Sequence, residues 1–280
     1  SHTYTSPGFY QASLTVSSAG GNEDTMRTDI QVFAPPTQFF ISPSGNATIG
    51  GIPAQGADVL LYDKPSNTWT MVYDGSAHNT LGNISAVDLS GTDLLLTFSA
   101  NQSIPGLGIA TPYDVVRFIP DDPDTYPLGS GTYLWQFQAR PYGLTTASEK
   151  IDAFDYQTGY PLFSATGAVV LPTDPILKLA DEDLFQWNIW SQNWDSWAYL
   201  DGSTITGLAS EDINGVALDP RTGDLYITIL GPFNLGGVAG NGKSIVRLPF
   251  ANHTPSLVPW LAPGATLPTD IDAIAGVWVE

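Results

Sequence analysis

The chain has 280 residues, 42% of them hydrophobic and only 13% charged, with 28 glycines, 22 prolines and no cysteine. That length and apolar share exclude a disordered chain, and the missing thiols exclude disulfide staples and thiolate metal sites. A formal net charge of −19 excludes a charge-driven nucleic-acid partner and disfavours an anionic membrane surface, while leaving divalent cations as partners of the 28 Asp and Glu residues.

No segment shows sustained helical periodicity, and aromatic residues alternate with Gly- and Pro-rich turns, so the predicted class is all-β. No apolar run reaches the roughly 18 residues of a membrane span, and no leader-like stretch opens the chain.

Residues 1–36 alternate apolar and polar positions in two runs separated by Ala19-Gly20-Gly21-Asn22, the pattern of an antiparallel hairpin, and Ala34-Pro35-Pro36 reads as a stiff linker. His2, Tyr4, Pro7-Gly8, Tyr10, Leu14-Thr15-Val16 and Ile30-x-Val32 match the closing strands of a PKD domain. This stretch therefore resembles the C-terminal part of that immunoglobulin-like sandwich. The resemblance implies an extracellular or cell-surface setting and a spacer or binding role. Some 33 residues are covered, whereas such a sandwich needs roughly 100. The expectation is a fragment, or a half-domain completed by strand complementation from another copy, as in a fibre.

Residues 37–280 carry a fourfold repeat. One strand recurs at Asp58–Tyr62, Asp114–Phe118, Asp183–Trp187 and Ser244–Leu248. A tryptophan follows each time, at Trp69, Trp135, Trp197 and Trp260, and then a glycine-bearing turn (the last at Pro263-Gly264). A small-residue strand comes next, at Ile84–Val87, Ile151–Phe154, Ile213–Val216 and Ile271–Ile274, and a further strand at Asp93–Ser99, Tyr160–Ser164 and Asp224–Thr228. The fourth copy of this last strand stands at the other end, at Gln38–Ser42. An array whose last unit is built from both termini closes into a ring, so the expected fold is a four-bladed β-propeller, with 244 residues giving 61 per blade. Gln38–Ser42 should pair with Ile271–Trp278. The small-residue strand should be innermost.

Catalytic motifs are missing: there is no nucleophile elbow, the three histidines His2, His78 and His253 have no metal spacing, and the glycine-rich Gly231–Gly242 region lacks a phosphate-loop context. Candidate sites lie elsewhere. Ser85, Asp152, Asn214 and Asp272 occupy one inner-strand position and could converge on a cation such as Ca²⁺, or else cap turns; Asp181 and Glu182 are two further candidate metal ligands. Trp190 and Trp194 sit among amide side chains in an apparent insertion and suit a sugar ring or a protein contact. Asn46, Asn83, Asn101 and Asn252 are glycosylation sequons. The leading expectation is a non-catalytic extracellular module for adhesion, glycan or protein binding, or assembly. The alternatives are a fibre subunit pairing with its own copies, and a polysaccharide-acting enzyme.

Overall fold

The computed structural model describes residues 7–21, 23–156, 159–261 and 266–277; His2, Tyr4, Asn22, Pro263-Gly264 and Trp278 lie outside them. The chain divides into two units, Ser1–Pro36 and Thr37–Glu280.

The first unit is one hairpin. β1 (Gly8–Ser17) pairs antiparallel with β2 (Glu23–Val32) in unbroken register, Tyr10 opposite Ile30 and Leu14 opposite Met26. Polar cross-strand pairs lace it, including the hydroxyls of Thr15 and Thr25 at 2.8 Å. Two strands cannot bury a face by themselves, and Leu14, Val16 and Met26 stay open, at 66%, 62% and 73% exposure.

The second unit is a four-bladed β-propeller. Its strands follow in chain order. The first blade uses β3 (Gln38–Pro43), a small hairpin of β4 (Ala47–Ile49) and β5 (Ile52–Ala54), then β6 (Val59–Asp63) and β7 (Thr68–Tyr73). The second uses β8 (Ile84–Ser90), β9 (Asp93–Phe98), the hairpin β10 (Gln102–Ile104) and β11 (Gly108–Ala110), then β12 (Asp114–Pro120) and β13 (Gly131–Gln138). The third uses β14 (Ile151–Asp155), β15 (Leu162–Ala165), the hairpin β16 (Val169–Leu171) and β17 (Leu177–Leu179), then β18 (Phe185–Asn188) and β19 (Asn193–Trp194). The fourth uses β20 (Ile213–Leu218), β21 (Leu225–Ile229), the hairpin β22 (Phe233–Leu235) and β23 (Val238–Gly240), then β24 (Val246–Leu248) and β25 (Ser256–Leu257); β26 (Ile271–Val277) is the last strand among the described residues. The sheets run β26-β3-β6-β7, β8-β9-β12-β13, β14-β15-β18-β19 and β20-β21-β24-β25. Each blade thus inserts a hairpin between its second and third strands, an element the repeat analysis missed. Its signal is plain in two copies: Gly50-Gly51 and Gly236-Gly237 stand between apolar residues, and all four glycines adopt positive φ, the geometry of a tight hairpin turn.

Ring closure is antiparallel pairing of the two ends. Ile274 faces Ile41 and Ala275 faces Phe40, while Ser44 N–H donates to the Asp270 carbonyl at 3.0 Å. Packing explains why the middle strands read as continuous apolar runs. Each blade presents both faces to neighbours, so successive residues of one strand enter different cores. Phe40 packs between the first and second blades, whereas Phe39 and Ile41 pack between the fourth and first. Leu94 and Leu96 join the first of these cores and Leu95 the next. Four inter-blade cores result.

The small-residue strands β8, β14, β20 and β26 are innermost and neighbour one another around the axis. Crowding there is severe: a Cβ on Gly215 would lie 2.4 Å from Thr228 Oγ1. All four carry a bulge at one position, between Ile84 and Ala86, Ile151 and Ala153, Ile213 and Gly215, and Ile271 and Ala273. The skipped residues are Ser85, Asp152, Asn214 and Asp272.

The aromatic repeat needs correcting. Tyr62 pairs with Trp69, Phe118 with Tyr133 and Trp187 with Trp194. Trp194, not Trp197, is the outer-strand packing residue of the third blade; the irregular Asn188–Asp195 loop displaces the register by three residues. The repeated Asp is structural. Asp58 accepts from Gln55 and Gly75 N–H, Asp114 from Thr111, and Asp183 from Ala180 and Gly202.

Two further inter-blade bonds use carboxylates. Asp88 accepts from Tyr156 N–H at 2.5 Å and Asp155 from Leu218 N–H at 2.7 Å. Burial first, and then the Asp155 charge, pushes the Asp88 carboxyl well above the usual range. The native state therefore holds more protons than the unfolded chain above about pH 4, and stability falls as pH rises through the folded pKa. Asp88→Asn keeps an acceptor oxygen and should flatten this slope, unfolding at higher urea than wild type at about pH 8. An unchanged difference between the two proteins across pH would refute the buried-acid reading. Ile274→Ala should cost about 2–5 kcal/mol in one cooperative transition, seen alike by Trp fluorescence and circular dichroism. Separate transitions would mean the closing blade is not integral.

Candidate functional site

One cleft breaks the fourfold repetition. It lies on the third blade, encloses about 760 Å³, and is lined by Arg140, Tyr142, Asp174, Trp187, Gln192, Asp195 and Trp197 among others. A one-turn 3-10 helix, Arg140–Tyr142, and the loop after β19 build its walls. Tyr142 lies against Trp187 with ring centroids 4.2 Å apart and stacks parallel to Phe137 at 5.7 Å. Arg140 sits over the Tyr113 ring at 5.0 Å. Burial pushes the Asp195 carboxyl above its ordinary range.

Sequence reasoning named Trp190 and Trp194 here. Trp194 lines the cleft but is buried, its indole N–H donated to the Tyr142 carbonyl at 2.7 Å. Trp190 is 66% exposed and stands outside the lining, edge-on to Tyr160 at 5.0 Å and laid over Gly159. Trp197 was missed. It is 61% exposed and borders the cleft. Its excess over the blade pattern is visible only once Trp194 has been placed opposite Trp187.

The four bulge residues lie at one level, where the inner strands begin. Ser85 Oγ donates to the Ile151 carbonyl at 2.9 Å and lies 2.8 Å from Thr97 Oγ1. Asn214 Nδ2 donates to the Ile271 carbonyl at 2.7 Å. Asp152 is buried and Asp272 half-buried; burial, then Asp270, pushes Asp272 up to about 6. Asp181 serves the fold through its carbonyl, which accepts from Ile213 N–H at 3.1 Å. Glu182 is buried beside Gly202, and burial pushes its carboxyl up. Among the described residues no three acidic or imidazole side chains converge closely enough to hold an ion by themselves. Any cation on the axis would need amide, hydroxyl or carbonyl oxygens as well.

The sequon residues Asn46, Asn83, Asn101 and Asn252 are all exposed. Among the described residues no helix is long and apolar enough to cross a membrane.

No protein-family model and no curated protein matches the chain. Solved structures that are similar include the extracellular domain of a protein from B. thetaiotaomicron described as a one component system, at 11% identity and a TM-score of 0.27, over 88% of this chain and 33% of that one. Another is the Neurospora crassa Pan2 WD40 domain, at 9% identity and a TM-score of 0.27, over 90% of this chain and 69% of that one. The chain spans about a third of the first of these proteins. At such distances neither adds to the fold assignment, which stands on the sheet order of the chain itself.

Proposed function

We propose that residues 37–280 form a non-catalytic binding module of an extracellular or cell-surface protein, and that the third-blade cleft takes a carbohydrate chain. The observation that carries this reading is Trp197: a large aromatic face, mostly exposed, bordering a cleft whose lining mixes the rings of Tyr142 and Trp187 with amides, carboxylates and an arginine. An indole face left in water is unfavourable for folding alone and is what a sugar ring stacks on. The volume lies within the range of small-ligand sites. Trp190, on the same blade, would extend the platform beyond the cleft. A net charge of −19 argues for neutral rather than polyanionic glycans.

The PKD resemblance of residues 1–36 supports the extracellular setting. The open face bearing Leu14, Val16 and Met26 also favours a second reading, assembly through strand pairing with another copy.

Titration with a panel of neutral oligosaccharides, followed by Trp fluorescence and calorimetry, tests the first reading. Trp197→Ala should weaken binding at least about tenfold, the loss of one stacking contact worth ~1.4 kcal/mol. Silence across the panel would end the glycan assignment, and release of reducing ends from a bound polysaccharide would end the non-catalytic one, since Asp174 and Asp195 share the cleft. Light scattering tests assembly. A concentration-dependent mass that Leu14→Glu abolishes supports it; a monomer at every concentration rejects it.

A further inference from the structure

Among the described residues, the buried side-chain polar atoms without a hydrogen-bond partner are both carboxylate oxygens of Asp152, one each of Asp212 and Asn214, and the hydroxyl of Thr228. All are oxygens, and all belong to the third and fourth blades at the level of the inner-strand bulges. Asp152 and Asn214 are themselves bulge residues, Thr228 faces Gly215 in the register beside Asn214, and Asp212 stands two positions before Asn214. Asp152 and Asn214 are each 6% exposed.

Comparison around the ring shows what is missing. Ser85 donates across to the carbonyl that opens the next inner strand, Ile151, and Asn214 does the same to Ile271. Asp152 occupies the equivalent position before Ile213 and, when ionised, has no proton to donate. An acceptor therefore stands where the ring uses a donor, and Asp212 adds a second carboxylate. No ion pair recorded among the described residues reaches either; those pairs serve Asp93, Asp219 and Asp224. Such a group is costly to bury unless something positive joins it.

We propose that a hard cation of the Ca²⁺ class binds at this junction of the third and fourth blades, held by Asp152 and Asp212 and completed by the neutral oxygens of Asn214 and Thr228. A proton is the rival occupant: shared between the facing carboxyls of Asp152 and Asp212 it would satisfy two of the five oxygens, whereas a cation takes oxygen ligands together. Burial, then the Asp212 charge, pushes Asp152 well above the usual carboxylate range, and burial with Asp181 takes Asp212 up to about 6. In both, burial disfavours the charged form, and the two carboxyls act on each other. With two carboxylates the affinity belongs to the weak class, about 10⁻⁴–10⁻³ M. The inference is independent of the glycan reading, since it concerns the axis and not the cleft.

The test uses the full chain, stripped of metal with a chelator and melted while CaCl₂ is titrated in. Wild type should show a saturable rise in Tm and saturable Ca²⁺ binding by calorimetry. Asp152→Asn should lose at least about tenfold in Ca²⁺ affinity. Without metal it should melt above wild type, because its amide can donate to Ile213 as Asn214 donates to Ile271. Asp212→Asn, in case the first variant fails to fold, should weaken Ca²⁺ binding in the same way. Absence of saturable binding to wild type overturns the proposal. So does a folded Asp152→Asn that binds Ca²⁺ like wild type, or a metal-free protein that acidification stabilises and Ca²⁺ does not.

Discussion

The constraint on which the molecule depends is that four inner strands must meet at one axis, and that the last of them comes from the far end of the chain. β26 reaches β3 across the whole sequence, and only that pairing seals the cores on either side of the closing blade. Ile271 and Ile274 pack with Phe39, Ile41 and Tyr62 on one side; Ala273 and Ala275 pack with Phe40 and Tyr73 on the other. Because β3 sends alternate residues into both cores, opening the seam would expose two interfaces at once. The other blades have no such seam, since their inner and second strands are joined by short turns. Trp260 fits this picture. It stands beyond the short outer strand of the fourth blade yet packs edge-on against Phe39, Tyr62 and Trp69 of the first, tying the end of one blade to the blade that the termini build.

Crowding at the axis sets the inner-strand composition. Alanine or glycine at Ala86, Ala153, Gly215 and Ala273 lets the strands approach, and the bulge before each turns one side chain toward the neighbouring blade. Ser85 and Asn214 use that direction to bond the next strand. The rule for the repeat is then plain: positions that recur in all four blades, such as Asp58, Asp114, Asp183 and Ser244, hold turns and packing, and departures from the pattern are where ligand chemistry can be built. The third blade departs most. The loop around its short outer strand carries extra tryptophans, and the cleft opens there.

Much of the fold could be read from the sequence because propeller geometry writes a periodic record. The small-residue strand, the Asp at or just before the third strand (Ser244 in the fourth copy), and the displaced copy at Gln38–Ser42 each reflect a contact repeated four times. The cleft left no such record. Trp194 and Trp197 are three residues apart, and only the pairing of Trp194 with Trp187 decides which of them packs. Repeat spacing favours Trp197 as the packing tryptophan, and the irregular loop defeats spacing. The inserted hairpins were missed for a different reason. Their strands are three residues long, too short for alternation to show, although the glycine pairs at Gly50-Gly51 and Gly236-Gly237 announce two of them.

The buried acids argue that the axis is more than a packing solution. Asp88 and Asp155 each accept a backbone N–H from the next blade, so burial brings them a bond in return. Asp152 gains none, although Ser or Asn at the same position bonds the next blade in two of the four copies. A chain selected for stability alone would carry a donor there, since a single substitution supplies it and relieves a buried charge beside Asp212. Packing stability by itself therefore does not account for the carboxylate at this position. The cation proposed above would account for it, because a positive ion among those oxygens offsets the buried charge that a donor side chain would avoid.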